Sequence, residues 1–256
     1  MTREVDVDPA EGDERQGGGH DQRMYATEAL RTLVRMSDPL VRRLARLDCC
    51  ALSDALDALG LDGVVSGLPP RSSARRIAGR AITVKLVATA DAPPAAGPPR
   101  HLGTAAIALG GPGSVIVVEQ RTGIEAGSWG GILTLAANRR GIEGVVADGP
   151  VRDIDEARGY DFPVFARGLT ARTARGRIAE SATNVPVRIG NVTVAPGDYV
   201  LADGSGVVFV AAAGAERVIA AAENIAAREA AMAKALLAGE PAGTVMGAAY
   251  ENMLTS

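Results

Sequence analysis

Strand-like and helix-like segments take turns between residues 77 and 165 of this chain, whereas from 185 to 210 strands follow one another directly. Residues 77–88 (IAGRAITVKLVA) read as a strand, Leu102 to Leu109 as a short helix and Ser114 to Val118 as a buried strand. A short apolar helix closed by Gly141 then precedes a strand from Gly144 to Ala147, and Phe162 to Phe165 reads as another strand. Further on, PVRIG, NVTV, YVLAD and VVFVA are joined by the turns APGD and GSG. Alternation favours parallel strands with crossover helices, and tight turns favour antiparallel ones. One α/β domain with a mixed sheet layered with helices satisfies both; a purely parallel Rossmann sheet does not.

Residues 1–24 are acidic, glycine-rich and nearly free of large apolar groups, which predicts a disordered tail ahead of a single domain over 25–256. His20 falls in that tail and reads as incidental. From Tyr25 the pattern turns helical and Leu44 to Leu59 continues it, with Ser53-Asp54 most simply a helix cap. The proline-rich piece 91–100 predicts an exposed loop, and 215–237 an Ala-rich helix. Aromatics make up only 3% of the chain, so the core has to be built from Ala, Val, Leu and Ile. A net charge of −3 gives no basic field for nucleic acid. With no run of 18 apolar residues and no apolar signal core, the expectation is a soluble cytoplasmic protein without a membrane partner. Cys49 and Cys50 are adjacent and the only cysteines, which argues against a disulfide framework.

The chemistry concentrates in GSWGGILTLAANRRGIEGVVADGPVRD, residues 127–153. A glycine-rich turn leads into a helix whose first N–H groups lack partners and favour an anion. Past the following strand come Arg152, a planar cationic fork, and Asp153, a hard oxygen ligand for a divalent cation. The combination suits a small carboxylate substrate with a metal. A Schiff-base route would need a lysine. The two present, Lys85 in a strand and Lys234 in a charged helix, suit other roles. The glycine loop fits neither GxGxxG nor the P-loop pattern.

These motifs together resemble the RraA-like family, which holds regulators of ribonuclease activity and class II 4-hydroxy-4-methyl-2-oxoglutarate / 4-carboxy-4-hydroxy-2-oxoadipate aldolases. The likeness runs through LDCCALSDALDALGL (47–61), GRAITV (79–84), GSWGG (127–131), GVVADGPVRD (144–153), FPVFARG (162–168), NVPV (184–187) and VAPGDYVLADGSGVVFV (194–210). It implies a layered α/β/β/α sandwich of the swivelling-domain type, assembled as a homotrimer or a hexamer with active sites at subunit interfaces. In the aldolase branch Asp153 would hold Mg²⁺ or Mn²⁺ largely through water, and Arg152 would neutralise the enolate oxygen of a small 2-oxo acid. The substrate carboxylate would rest on the loop and helix start at Gly130, Gly131, Ile132 and Leu133. Aldol cleavage and oxaloacetate decarboxylation share that pyruvate enolate, so one site serves either. The regulator branch typically lacks the aspartate after the arginine.

One departure stands out: where many family aldolases carry an acid, this chain has Gly131. Glu119, or a residue of a neighbouring subunit, would take its place, or the reaction is a different lyase or isomerase step. Glu229 matches a glutamate that the family supplies across the interface, and equally fits a solvated helix position. Asp148 fits either support for Arg152 or a turn-forming Asp-Gly pair. His101, after the proline-rich loop, fits an acid or base but more simply an ordinary partly exposed side chain. Asp198 and Asp203 fit turn chemistry, and Trp129 either lines the pocket or packs.

Overall fold

The computed structural model describes residues 38–94 and 100–247. The tail read over 1–24, the helical onset at Tyr25 and part of the proline-rich loop lie outside them.

One long strand organises the domain. β2 (Ile77–Ala88) lies parallel to β3 (Ser114–Glu119), which is followed by β4 (Gly144–Val151) and β5 (Val164–Leu169), all parallel. On its other edge the first half of β2 pairs antiparallel with β9 (Tyr199–Asp203), and β10 (Gly206–Val210) and β1 (Val64–Val65) follow. The second half pairs with β6 (Ile178–Thr183), also antiparallel. β7 (Val187–Ile189) and β8 (Val192–Val194) form a separate hairpin. The sheet is therefore mixed, as the change of rhythm predicts.

The period of two in each strand sorts the core into layers. Ile116, Val118, Val145 and Ala147 point to one face, against α3 (Thr104–Leu109), α4 (Gly131–Arg139) and α5 (Ile154–Gly159). Their neighbours Val115, Val117 and Val146 share a second cluster with Val200, Ala202, Val207 and Phe209. Tyr199, Leu201, Val208 and Val210 face outward against α1 (Pro39–Leu44), α2 (Cys49–Ala58) and α6 (Ala215–Leu237). A final short helix, α7 (Ala242–Val245), follows. The parallel and antiparallel halves are thus stacked face to face between two helical layers, an α/β/β/α sandwich. Burial of each Val, Leu or Ile side chain contributes roughly 1.5–3 kcal/mol, which is how a core so poor in aromatics suffices.

Several boundaries differ from expectation. The helix expected over Leu44 to Leu59 is broken in two, because Asp48 caps α2 by accepting from the Ala51 N–H at 2.9 Å. Ser53 and Asp54 are therefore mid-helix and not a cap. β4 runs on to Val151, with an irregularity between Ala147 and Pro150, and the strand expected at Phe162 starts at Val164. α5 and β6 were not anticipated. No helix among the described residues is long and apolar enough to cross a membrane.

Asp198 and Asp203 carry out turn chemistry, as expected. Asp198 accepts from Ala195 and Ala212 N–H, at 2.7 and 3.0 Å. Burial opposes ionisation of Asp203, but the N–H groups of Cys49 and Ser205 and nearby Arg76 outweigh it and hold its carboxyl below the ordinary range. Next to it, burial and the Asp203 charge push the Cys49 thiol far up, while Cys50 faces solvent. A thiol reagent near neutral pH is expected to label one cysteine of the native protein and both after denaturation. Stoichiometric labelling of both in the native state would contradict this packing.

Candidate active site

The C-terminal ends of β3, β4 and β5 lie at one edge of the parallel half, the usual place for ligands in such sheets. The segment 120–130 that leaves β3 is stitched to the end of β4. Ser128 N and Oγ both donate to the Pro150 carbonyl, at 2.8 and 2.9 Å, and Arg152 N donates to the Trp129 carbonyl at 3.0 Å. Those bonds fix Arg152 against the start of α4.

The loop glycines make room for that contact. A Cβ at Gly127 would lie 2.7 Å from Arg152 Cγ, and one at Gly130 would lie 2.8 Å from Asp153 Oδ2. Any larger residue would displace the arginine or the aspartate. Trp129 is 2% exposed and its Nε1 donates to Thr134 Oγ1 at 2.9 Å, so it packs and does not line an opening.

Asp153 takes a left-handed conformation, with φ 54° and ψ 42°, at the N-cap of α5. For a residue other than glycine that costs about 1 kcal/mol, least for Asp and Asn. The conformation turns its carboxylate back between two positive groups. Oδ1 is 3.1 Å from Arg152 Nε, and Oδ2 accepts from the Gly131 N–H at 3.0 Å. Each side chain is about one-third exposed, 34% and 32%. Helix α4 has no N-cap side chain, and the N–H groups of Ile132 and Leu133 in its first turn have no carbonyl partner within the helix. Arg152, Asp153, Gly130, Gly131, Ile132 and Leu133 are therefore brought together.

Within one chain, two of the supporting candidates, Asp148 and Glu119, are held by other partners. Asp148 accepts from Arg167 Nε at 2.5 Å and from Gly190 N at 2.7 Å. It neither supports Arg152 nor turns the chain, because β4 continues through Gly149. Glu119 accepts from the Arg188 N–H at 2.6 Å, in the β7 hairpin. His101 is exposed ahead of α3. Glu229 lies on α6, in the opposite helical layer, where burial with Asp48 and Asp54 nearby raises its carboxyl. A cleft of about 600 Å³ beside β4 is lined by Gln120, Arg121, Asp148 and Arg167, and includes neither Arg152 nor Asp153.

One neighbour was missed from sequence: Glu156, in the first turn of α5, whose carboxyl carbon approaches Gly131. The DxxE spacing of Asp153 and Glu156 was the available signal, unusable without knowing that a helix starts there.

Whether this cluster suits a divalent cation depends on its donors. Among the described residues no group of three or more His, Cys, Asp or Glu gathers. A single carboxylate with open positions fits a hard, strongly hydrated ion such as Mg²⁺, which keeps waters and takes the rest of its shell from substrate oxygens. It fits a thiol- or imidazole-seeking metal poorly.

The chain as a whole is similar to known proteins. The family described as RraA-like, Aldolase/RraA, matches residues 49–209. Protein DlpA of Legionella pneumophila is 32% identical over 171 residues, 67% of this chain but 27% of that protein, so the chain spans about a quarter of its length. A Halalkalibacterium halodurans protein, described as a candidate 4-hydroxy-4-methyl-2-oxoglutarate aldolase, is 31% identical over 72% of this chain and 82% of its own. Among solved structures, an uncharacterised Pseudomonas syringae protein superposes with TM-score 0.72 and 31% identity, covering 81% of this chain and 96% of its own. Streptomyces coelicolor RraAS2, described as an unusual member of the RNase ES inhibitor RraA family, has TM-score 0.66 and 27% identity, over 75% and 94% of the two chains.

Proposed function

Because the chain belongs to the RraA-like Aldolase/RraA family, we propose that it is a divalent-metal-dependent lyase that cleaves a C–C bond of a small 2-oxo acid through a pyruvate enolate. The observation that carries this is the Asp153 carboxylate held between the Arg152 guanidinium and the N-terminus of α4.

Asp153 would hold Mg²⁺ or Mn²⁺, which supplies polarisation of the keto oxygen and so stabilises the charge that develops there. Arg152 faces the same charge, and its contact with Asp153 orients the guanidinium before substrate arrives. The first-turn N–H groups of α4 would receive the substrate carboxylate. Gly127 and Gly130 keep the loop thin enough for the arginine to lie flat on it. Ile132 is 82% exposed beside the site, and Leu135, one turn on, is exposed as well. An apolar face of that kind supports a homotrimer or hexamer with sites at subunit interfaces.

Two other readings have support of their own. The likeness to RraAS2 favours a protein-binding regulator of RNA processing, against which the retained Asp153 counts. Gly131 favours a different lyase or isomerase step. Pyruvate release from oxaloacetate and from 4-hydroxy-4-methyl-2-oxoglutarate, with Mg²⁺ or Mn²⁺ and again with EDTA, separates them. Turnover of at least one substrate that EDTA abolishes is expected. Absence of turnover with both, in protein that binds Mn²⁺, would leave the different-reaction reading in its place.

A further inference from the structure

We propose that the cleft of about 600 Å³ beside β4 is a second binding site, one that takes a sugar acid: a monocarboxylate carrying several hydroxyls. Such a site goes beyond the lyase reading and does not depend on it. Successive β4 residues point to opposite faces. Ala147 packs on the side of α4 and α5, whereas Asp148 faces the β7–β8 hairpin, where its Oδ2 accepts from the Gly190 N–H at 2.7 Å. Arg152 and Asp153 do not line the cleft. Its volume is in the range that holds small ligands, about 300–1,000 Å³.

The charges on its walls do not balance. Arg167 is matched, because its Nε donates to Asp148 Oδ1 at 2.5 Å. Arg121 is not: its guanidinium donates to the neutral Gly190 carbonyl at 2.6 Å, and no carboxylate among the described residues pairs with it. Glu119, two residues before it, turns instead to the Arg188 N–H. One unmatched guanidinium suits a single carboxylate, which its planar fork can grip.

The wall also asks for donors. Gln120 is 4% exposed, and its Nε2 donates to the Ile124 carbonyl at 2.9 Å, which fixes which way the amide points. Its Oε1 lies against Gly149, another residue of the wall, and has no hydrogen-bond partner among the described residues. Each Asp148 oxygen accepts one hydrogen bond and has room for another. Ser66 and Asn191 add polar groups at the exposed rim. Hydroxyls answer these acceptors without adding the positive charge that an ammonium would bring beside two arginines. Among the lining residues only Val64 and Val65 have sizeable apolar side chains, and no aromatic ring is present to stack on a base.

Titration calorimetry on the full-length protein tests the two demands separately. D-gluconate carries the charge and the hydroxyls, hexanoate the charge alone, and D-glucose the hydroxyls alone. Gluconate is expected to bind once per chain, at least about tenfold tighter than either of the others. Arg121→Gln should weaken gluconate by at least about tenfold. Gln120→Met, with thermal melts to check its fold, should weaken gluconate about fivefold and leave hexanoate within about twofold. Arg152→Gln should leave gluconate within about twofold of wild type. Affinity that falls in Arg152→Gln would put the ligand in the candidate active site and overturn the proposal. Gluconate bound no tighter than hexanoate or glucose, or bound equally well by Arg121→Gln, would overturn it too. So would a failure of all three to bind, which would leave the cleft to water or to another copy of the chain.

Discussion

Asp153→Asn is expected to lower metal-dependent pyruvate release by about a thousandfold while leaving the fold in place. A divalent cation at a developing oxyanion contributes several kcal/mol, and each 1.36 kcal/mol is tenfold in rate. Removing the one carboxylate that would hold it forfeits most of that. Asparagine is the informative replacement, because it tolerates the left-handed backbone at φ 54° and still offers an oxygen to the Gly131 N–H. Alanine would add a backbone cost of about 1–2 kcal/mol and the loss of that hydrogen bond, so reduced activity could come from a displaced α5. A coupled assay for pyruvate, run beside thermal melts, reads both effects. Wild-type turnover in Asp153→Asn would remove the metal role from this residue.

The second large effect is on stability. Gly149→Ala should cost about 3 kcal/mol, lowering the melting temperature by about 10 °C for a domain of this size. An added Cβ would lie 1.8 Å from Gln120 Oε1 and 2.8 Å from both its Cβ and Cδ. Gln120 is 4% exposed, and its Nε2 donates to the Ile124 carbonyl at 2.9 Å. Swinging the amide aside would break that bond and still leave the Cβ contact, so the ends of β3 and β4 would have to separate. Arg152 lies three residues further on, and a displacement of about 1 Å can cost a hundredfold in rate. The variant should therefore lose activity along with stability. A melting temperature within about 2 °C of wild type would show that the two strands do not approach this closely.

The sequence was most readable where one segment carries its own pattern. Ile77–Ala88 is β-prone from end to end, and Ala215–Leu237 is helix-prone throughout, so both fall at the expected limits. α5 and β6 were hidden because their reasons lie elsewhere. IDEARG is six residues started by the backbone of Asp153, and IAESAT is a polar strand held by the second half of β2. The Arg152–Asp153 pair was legible as adjacent opposite charges after a buried strand. Its contact with Gly131 depends on loop geometry that no spacing encodes. Asp148 was misjudged for a related reason: an Asp-Gly pair reads as a turn, but the irregularity between Ala147 and Pro150 lets β4 continue through it.

The sharing of β2 between two halves of the sheet also has a consequence in time. Ile77 pairs with Ala202, so one edge of this strand waits for a partner roughly 120 residues downstream. On a ribosome adding some 5–20 residues per second, that interval is on the order of ten seconds. During it β2, β3 and the strands after them can assemble on their crossover helices, while the other side of β2 stays an open edge able to pair with a neighbouring nascent chain. The late YVLAD and VVFVA strands therefore close the edge as well as complete the core, and their emergence sets how long that edge stays uncovered.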